Sequence, residues 1–210
     1  PVNAESDLLP GLIVDRYSDF LVVQFLTLGL QQLKAEIVKL LAELLGPRGI
    51  YGRSDADVRE KEGLAPAIGA LHGVEPPDRI EICENKVRFL VDVKRGHKTG
   101  FYLDQRENRK QVMRIFAPHL NSRPQGAKEI LNGFSYTGAF AVYACAADAS
   151  VRVINLDASR DALGLARENM RLNGCEDRGE FVEGDAFPSL RKYRDQARSF
   201  DAIILDPPKF

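Results

Sequence analysis

The feature that most constrains this chain is an alternation in its second half. Short apolar runs at Lys128–Leu131, Val151–Leu156, Glu180–Val182 and Ala202–Leu205 are separated by helix-patterned stretches at Ala139–Ala147, Asp161–Asn173 and Ala186–Tyr193. A strand, helix, strand repeat with short connections closes only as right-handed crossovers, so the four runs are expected to form a parallel sheet covered by helices. In open sheets of that kind, ligands bind beyond the carboxyl ends of the strands. The residues just after each run therefore carry the functional question.

The region before it has a different texture. Leu12–Tyr17 and Phe20–Phe25 flank Ser18-Asp19 and read as a hairpin. Leu30, Leu33, Ile37, Leu40, Leu41, Leu44 and Leu45 recur at helical spacing up to Gly46-Pro47, and Gly49–Arg53 reads as a third strand. Gly63 to Pro77 is Gly- and Pro-rich without clear period and reads as loops and a boundary. Residues 1–77 are thus expected to be a small α+β domain and residues 78–210 an α/β domain. The second domain opens with a hairpin, Ile80–Cys83 and Val87–Val91 around Glu84-Asn85. A helix capped by Asp104, with Glu107 three residues on, then runs to Phe116, before Pro118.

At the first strand end stands Asn132-Gly-Phe-Ser-Tyr-Thr-Gly138. Two glycines around a turn into a helix let main-chain N–H groups approach a ligand, although a strand-to-helix turn without one reads equally well. The spacing is not the GxGxxG of a dinucleotide fold, which makes an NAD-dependent oxidoreductase the weakest option. At the second strand end, Asp157-Ala158-Ser159 places a carboxylate 24 residues beyond Gly133. It suits a ribose diol, or the cap of the next helix. At the third, Asp185-Ala186 suits an adenine amino group and ring nitrogen, or again a cap. At the fourth, Asp206-Pro-Pro-Lys-Phe210 holds the backbone extended, with no N–H at either proline.

These motifs, together with Gly96-His-Lys-Thr-Gly-Phe-Tyr-Leu-Asp-Gln-Arg106 and Gly11-Leu-Ile-Val-Asp-Arg-Tyr17, resemble the bacterial large-subunit rRNA cytosine-5 methyltransferases. That family is built from a PUA domain, a central α+β domain and a Rossmann-like class I catalytic domain. The resemblance covers nearly the whole chain. It implies S-adenosyl-L-methionine (SAM) as cofactor and rRNA as partner. Tyr102, Gln105 and Arg106 would close over the cofactor. Asn132, Phe134, Ser135, Tyr136, Thr137 and Gly138 would wrap its methionine end. Asp157, Ala158 and Ser159 would hold the ribose, and Asp185 and Ala186 the adenine. Asp206 and Pro207 would face the target base, which must leave its stack to be reached.

In that family a cysteine thiolate attacks C6 so that C5 can take the methyl group. The family's cysteine lies downstream of Asp-Pro-Pro-Lys-Phe. Cys83, Cys145 and Cys175 read instead as structural thiols. The expectation is a PUA-less chain whose sheet lacks its carboxyl-side part, with an apolar edge on the last strand, and which is inactive alone. Methylation of a guanine nitrogen in rRNA, which needs no cysteine, and a non-catalytic SAM- or RNA-binding module are the competing readings.

The net charge of −1 gives no global field for RNA, so affinity must be local. Nine Lys or Arg against three Asp or Glu lie between Lys86 and Arg114, interleaved with Phe101 and Tyr102. Lys94, Arg95, His97 and Lys98 are the RNA-contact candidates. Arg109, Lys110 and Arg114 fit an outer helix face equally well. Three widely spaced cysteines suggest neither a disulfide framework nor a metal site, and no apolar run approaches the roughly 20 residues of a membrane span. A cytoplasmic protein is expected, with a homodimer left open.

Overall fold

The structure, a computed structural model, describes residues 2–121 and 128–208, with only the main chain described for 116–121. Lys209 and Phe210 of the last motif lie outside the described residues. The chain divides into two compact units, Pro1–Ile82 with Val91–Tyr102, and Cys83–Leu90 with Leu103–Phe210. This division is interleaved, where the sequence suggested one cut after Pro77.

In the first unit, β1 (Val2–Asn3), β2 (Leu12–Tyr17), β3 (Phe20–Phe25), β4 (Gly49–Ser54) and β5 (Ala67–Gly73) form one sheet in that order. All pairs are antiparallel except β3 with β4, so the chain must cross over between them. Helices α1 (Leu28–Gln32) and α2 (Lys34–Leu45) make that crossover. The expected single helix is interrupted at Leu33, whose backbone (φ −88°, ψ 8°) leaves the helical well. Gly46 closes α2 in the left-handed conformation, as its place before Pro47 suggested. Leu12, Val14, Leu21, Val23, Phe25, Val38 and Ile50 form the core.

The stretch expected to be loop, Gly63 to Pro77, contains the strand β5, and a short helix, α3 (Val58–Lys61), precedes it. A Cβ on Gly63 or Gly69 would meet nothing within 4 Å, but one on Gly73 would clash with the Arg48 carbonyl oxygen, and one on Gly49 of β4 with that of Val74. Glycine here marks strand contact, not chain freedom. Further along the same unit, the Tyr17 hydroxyl lies 2.9 Å from Thr99 Oγ1 and accepts from the Phe101 N–H at 3.2 Å. Thr99 Oγ1 donates to Asp15 at 2.5 Å. Arg53 donates to the carbonyls of Val93 and Gly96. The Gly96–Arg106 motif thus begins in a clamped loop.

The hairpin β6 (Ile80–Glu84) and β7 (Val87–Val91) turns at Asn85 and Lys86, both at positive φ, one residue later than the sequence suggested. In the second unit Asp104 lies within a 3-10 turn, Leu103–Gln105, rather than at a cap, and α4 (Arg106–Asn121) continues through Pro118 instead of ending at Phe116. A proline removes one main-chain hydrogen bond, which a helix this long survives. Then follow β8 (Lys128–Gly133), α5 (Ala139–Ala147), β9 (Val151–Asp157), α6 (Arg160–Leu172), β10 (Gly179–Glu183), α7 (Ala186–Asp195) and β11 (Ala202–Leu205). The sheet is parallel throughout, in the order β10-β9-β8-β11. This is the expected α/β architecture. β11 stands at the edge, with Ile203 and Leu205 exposed.

Arg109 is not on an outer face. It is 1% exposed and grips Glu84 with two 2.8 Å hydrogen bonds, while the Tyr143 hydroxyl donates to the same carboxylate at 2.9 Å. Burial, with the Glu84 charge beside it, pushes the Tyr143 phenol up to about 12. Charge alone made Arg109 look like a surface residue; its buried partner lies 25 residues away. Arg109→Leu would leave the buried Glu84 carboxylate without its cation, and is expected to cost about 3–5 kcal/mol in denaturant melts. Adding Glu84→Leu should restore part of that loss.

Between α5 and β9, hydrogen bonds from Lys128 and from the N–H and hydroxyl of Ser150 hold the Asp148 carboxyl at about 2, below its ordinary 3.8. A depressed carboxyl contributes stability above its unfolded value and loses it as pH falls through the folded one. Asp148→Asn should therefore unfold more readily than the parent at pH 7, and the gap should close in melts taken from about pH 4 to 2.

Candidate functional site

The register of the parallel sheet brings the four strand ends level. Gly133 pairs with Leu156 and with Leu205, and Leu156 pairs with Val182. One step beyond that line stand Phe134, Asp157, Glu183 and Asp206, so residues of three of the four motifs stand side by side. Asp185 follows two residues after Glu183.

The turn from β8 into α5 is the most unusual backbone in the unit. Phe134 (φ 58°), Tyr136 (φ 47°) and Gly138 (φ 72°) all have positive φ. Non-glycine residues adopt that region at a cost, so something must hold them there. Asp157 does much of it, its Oδ2 accepting from the Tyr136 N–H at 2.7 Å and its Oδ1 from the Ser159 N–H at 2.9 Å. The Ser135 N–H donates to the Leu156 carbonyl, and the Gly138 N–H to that of Ser135. Gly138 is required twice over, by its φ and because a Cβ there would lie 2.8 Å from Ala166 Cβ.

The turn also keeps polar atoms in reserve. Asn132 Oδ1, Ser135 Oγ and Thr137 Oγ1 are buried without a hydrogen-bond partner, although Asn132 donates through Nδ2 to Asn155 at 3.1 Å. Buried polar groups are nearly always paired, so three orphans around one strained turn set it apart among the described residues.

The cap alternatives separate cleanly. Ser159 caps α6, its Oγ accepting from the Ala162 N–H at 3.2 Å, which leaves Asp157 to the turn. Asp185 does cap α7, accepting from the Phe187 N–H at 2.8 Å, with its second carboxylate oxygen on an exposed residue. Ala158 is exposed and Ala186 buried. Phe187 meets Phe134 edge to face at 6.0 Å, which joins the third strand end to the first. The Asp206 N–H lies 3.5 Å from the Gly133 carbonyl oxygen, so Asp206 and Pro207 leave β11 beside the start of the turn.

Other candidates lie apart from this cluster. Gln105 and Arg106 stand at the start of α4, where Gln105 accepts from Asn108 at 2.7 Å. Tyr102 belongs to the first unit, its hydroxyl 3.4 Å from His97 Nδ1 and its ring 4.7 Å from Lys98 Nζ. In that unit Lys94 is engaged by Glu75 at 2.9 Å and Asp78 at 3.5 Å, and the Glu75 contact holds its amine above the ordinary value. Arg95 reaches Asp92 at 3.0 Å. Burial raises the Asp92 carboxyl, but the Arg95 N–H and the Arg79 and Arg95 guanidiniums outweigh it and leave the group below normal. Asn155 and Asn169, both fully buried beside the turn, escaped the sequence reading. Their polar type on an apolar helix or strand face was the available signal.

Cys145 and Cys175 are buried at 4% and 1%. A hydrogen bond with Cys175, together with burial, pushes the Cys145 thiol far above its ordinary value. Cys83 is exposed on β6. Among the described residues no cluster of His, Cys, Asp and Glu could hold a metal ion, and no helix is long and apolar enough to cross a membrane.

A parallel sheet alternating with helices, with a strained turn after one strand and a carboxylate at the neighbouring strand end, defines a Rossmann-like domain. Residues 63–210, more than half of the chain, match the family described as S-adenosylmethionine-dependent methyltransferase, and the chain belongs to that family. It is similar to "Ribosomal RNA large subunit methyltransferase I" of Aeromonas salmonicida, 47% identical over 99% of this chain and 50% of the relative. The protein of that name from Vibrio parahaemolyticus is 47% identical over 100% of this chain and 51% of its own length. Among solved structures, a protein from Streptococcus mutans classed as a SAM-dependent methyltransferase superposes with TM-score 0.81 at 27% identity, covering 98% of this chain and 50% of that one. A methyltransferase structure in complex with SAH gives 0.80 at 26% identity, over 99% of this chain and 50% of that one. The chain spans about half the length of the curated relatives it matches.

Gly138→Ala is expected to destabilise the protein by about 1–3 kcal/mol, from strain at positive φ and the clash with Ala166. Thermal melts against Gly164→Ala, where a Cβ meets nothing within 4 Å, would isolate that cost.

Proposed function

We propose that this chain is part of a SAM-dependent methyltransferase that acts on large-subunit rRNA, with cytosine C5 as the methylated atom. The observation that carries the cofactor assignment is the turn Asn132–Gly138, with its three orphaned buried polar atoms and the Asp157 carboxylate at its side. The rRNA substrate is supported by the names of the relatives at 47% identity, and the C5 target by the motifs quoted above.

When bound, SAM supplies an electrophilic methyl group. The protein's share is to bind and orient. The main chain and hydroxyls of Ser135 to Thr137 receive the amino-acid end of the cofactor. Asp157 has used one lone pair on each oxygen, and its remaining acceptor capacity faces the ribose diol. Asp185, with Ala186 N–H, reads the adenine edge. Asp206 and the Pro207 carbonyl form an acceptor-only edge for an unpaired base, since neither Pro207 nor Pro208 carries an N–H. Tyr102, Gln105 and Arg106 complete the cofactor side, and Lys94, Arg95, His97 and Lys98 meet the RNA backbone. The burial of Cys145 and Cys175 argues against either as nucleophile.

Calorimetric titration of SAM, with NAD as control, tests the cofactor assignment. Asp157→Ala removes a hydrogen-bonded carboxylate, and a loss of about 1.5–3 kcal/mol in binding, tenfold or more, is expected. NAD binding without SAM binding would overturn it. Mass spectrometry of nucleosides from rRNA treated with the full-length relative would distinguish 5-methylcytidine from a methylguanosine.

A further inference from the structure

Asn169 of α6 is 0% exposed, and neither of its amide ends is spent on its own helix. Its Oδ1 accepts from the Leu90 N–H of β7 at 2.7 Å. Its Nδ2 donates to the Thr137 carbonyl at 3.0 Å. Four residues on, Asn173 holds the same strand, its Oδ1 accepting from the Arg88 N–H at 3.1 Å and its Nδ2 donating to the Arg88 carbonyl at 2.7 Å. Two asparagines on one helix face therefore bond the main chain of β7. Asn169 also reaches the turn, whereas among the described residues the side chain of Asn173 bonds Arg88 and its own helix. One helical turn earlier, Ala166 presses on Gly138. The turn is thus bonded from β9 through Asp157 at Tyr136, and from α6 through Asn169 at Thr137.

We infer that Asn169 is a positioning residue for the cofactor: by holding the Thr137 carbonyl it fixes the turn in its ligand-ready form and ties it to β7. The inference rests on the SAM reading for its ligand, but not for the geometry. With the Thr137 carbonyl held by Asn169 and the Gly138 N–H of the same peptide held by the Ser135 carbonyl, Thr137 Oγ1 and Ser135 Oγ are the atoms left for a ligand. Without the Asn169 donor, Thr137 would have to leave a buried carbonyl unpaired or rotate its peptide, and the positive-φ conformation of Tyr136 would lose an anchor on the residue that follows it.

The test separates donor from acceptor. Asn169→Asp keeps an oxygen for the Leu90 N–H, but as a carboxylate it cannot donate to Thr137. Protonation restores a donor, and burial places that protonation within reach of mildly acidic pH. SAM affinity of Asn169→Asp is expected to be about tenfold or more below the parent at pH 8, and to recover most of the way by about pH 5.5. Asn169→Ala should be weak at both, and covers the case in which the buried carboxylate prevents folding. Asn173→Ala should lower Tm yet bind SAM within about twofold of the parent.

Parent-like affinity in Asn169→Ala would overturn the proposal. So would equal losses in Asn169→Ala and Asn173→Ala at matched Tm, since Asn169 would then only stabilise. If the parent binds no SAM, the cofactor reading fails by itself, and amide exchange decides the positioning role. Faster exchange at Tyr136 and Gly138 in Asn169→Ala than in Asn173→Ala supports it, and unchanged exchange overturns it.

Discussion

Asp157 accepts the Tyr136 N–H with one carboxylate oxygen and the Ser159 N–H with the other. Through those two bonds the end of β9 holds the turn that follows β8, and starts α6 in the right direction. The strained φ values at Phe134 and Tyr136 depend on it, because nothing in the local sequence makes such residues favour the left-handed region. The parallel register does the rest. It sets Asp157 one residue past the line shared by Gly133, Val182 and Leu205, close enough to bond the neighbouring turn.

The second unit is organised around buried polar groups as much as around its apolar core. Arg109, Glu84 and Tyr143 satisfy one another on α4, β6 and α5. Asn132, Asn155 and Met170 form a second chain, and Asn169 and Asn173 a third. Each of these groups would be costly to bury alone, so each specifies a particular neighbour. Among the described residues, the buried side-chain atoms left out of such pairing belong to Asn132, Ser135 and Thr137, in and beside the turn.

Much of this was legible in the chain. The hairpin of β2 and β3, α5 and β11 fall where periodicity put them, and the order of elements sufficed for a parallel sheet. The motif ends were legible because glycine, proline and aspartate at strand ends are chemically distinctive. Gly73 of β5 misled, since a residue that permits a loop also permits two backbones to touch. Arg109 misled because a cation on a helix looks the same whether it meets water or a buried carboxylate 25 residues away.

The sequence by itself determined the element order, the sheet type and the family, since these depend on period, spacing and short motifs that need no partner. Only the tertiary structure decided which polar side chains serve the fold and which remain for a ligand. Asp185 turned out to be both a cap and a site candidate, Ser159 to be the cap that frees Asp157, and Asn169 to face two ways at once. A hydrogen bond is a relation between two groups brought within about 3 Å, and folding alone establishes that distance for residues far apart in the chain.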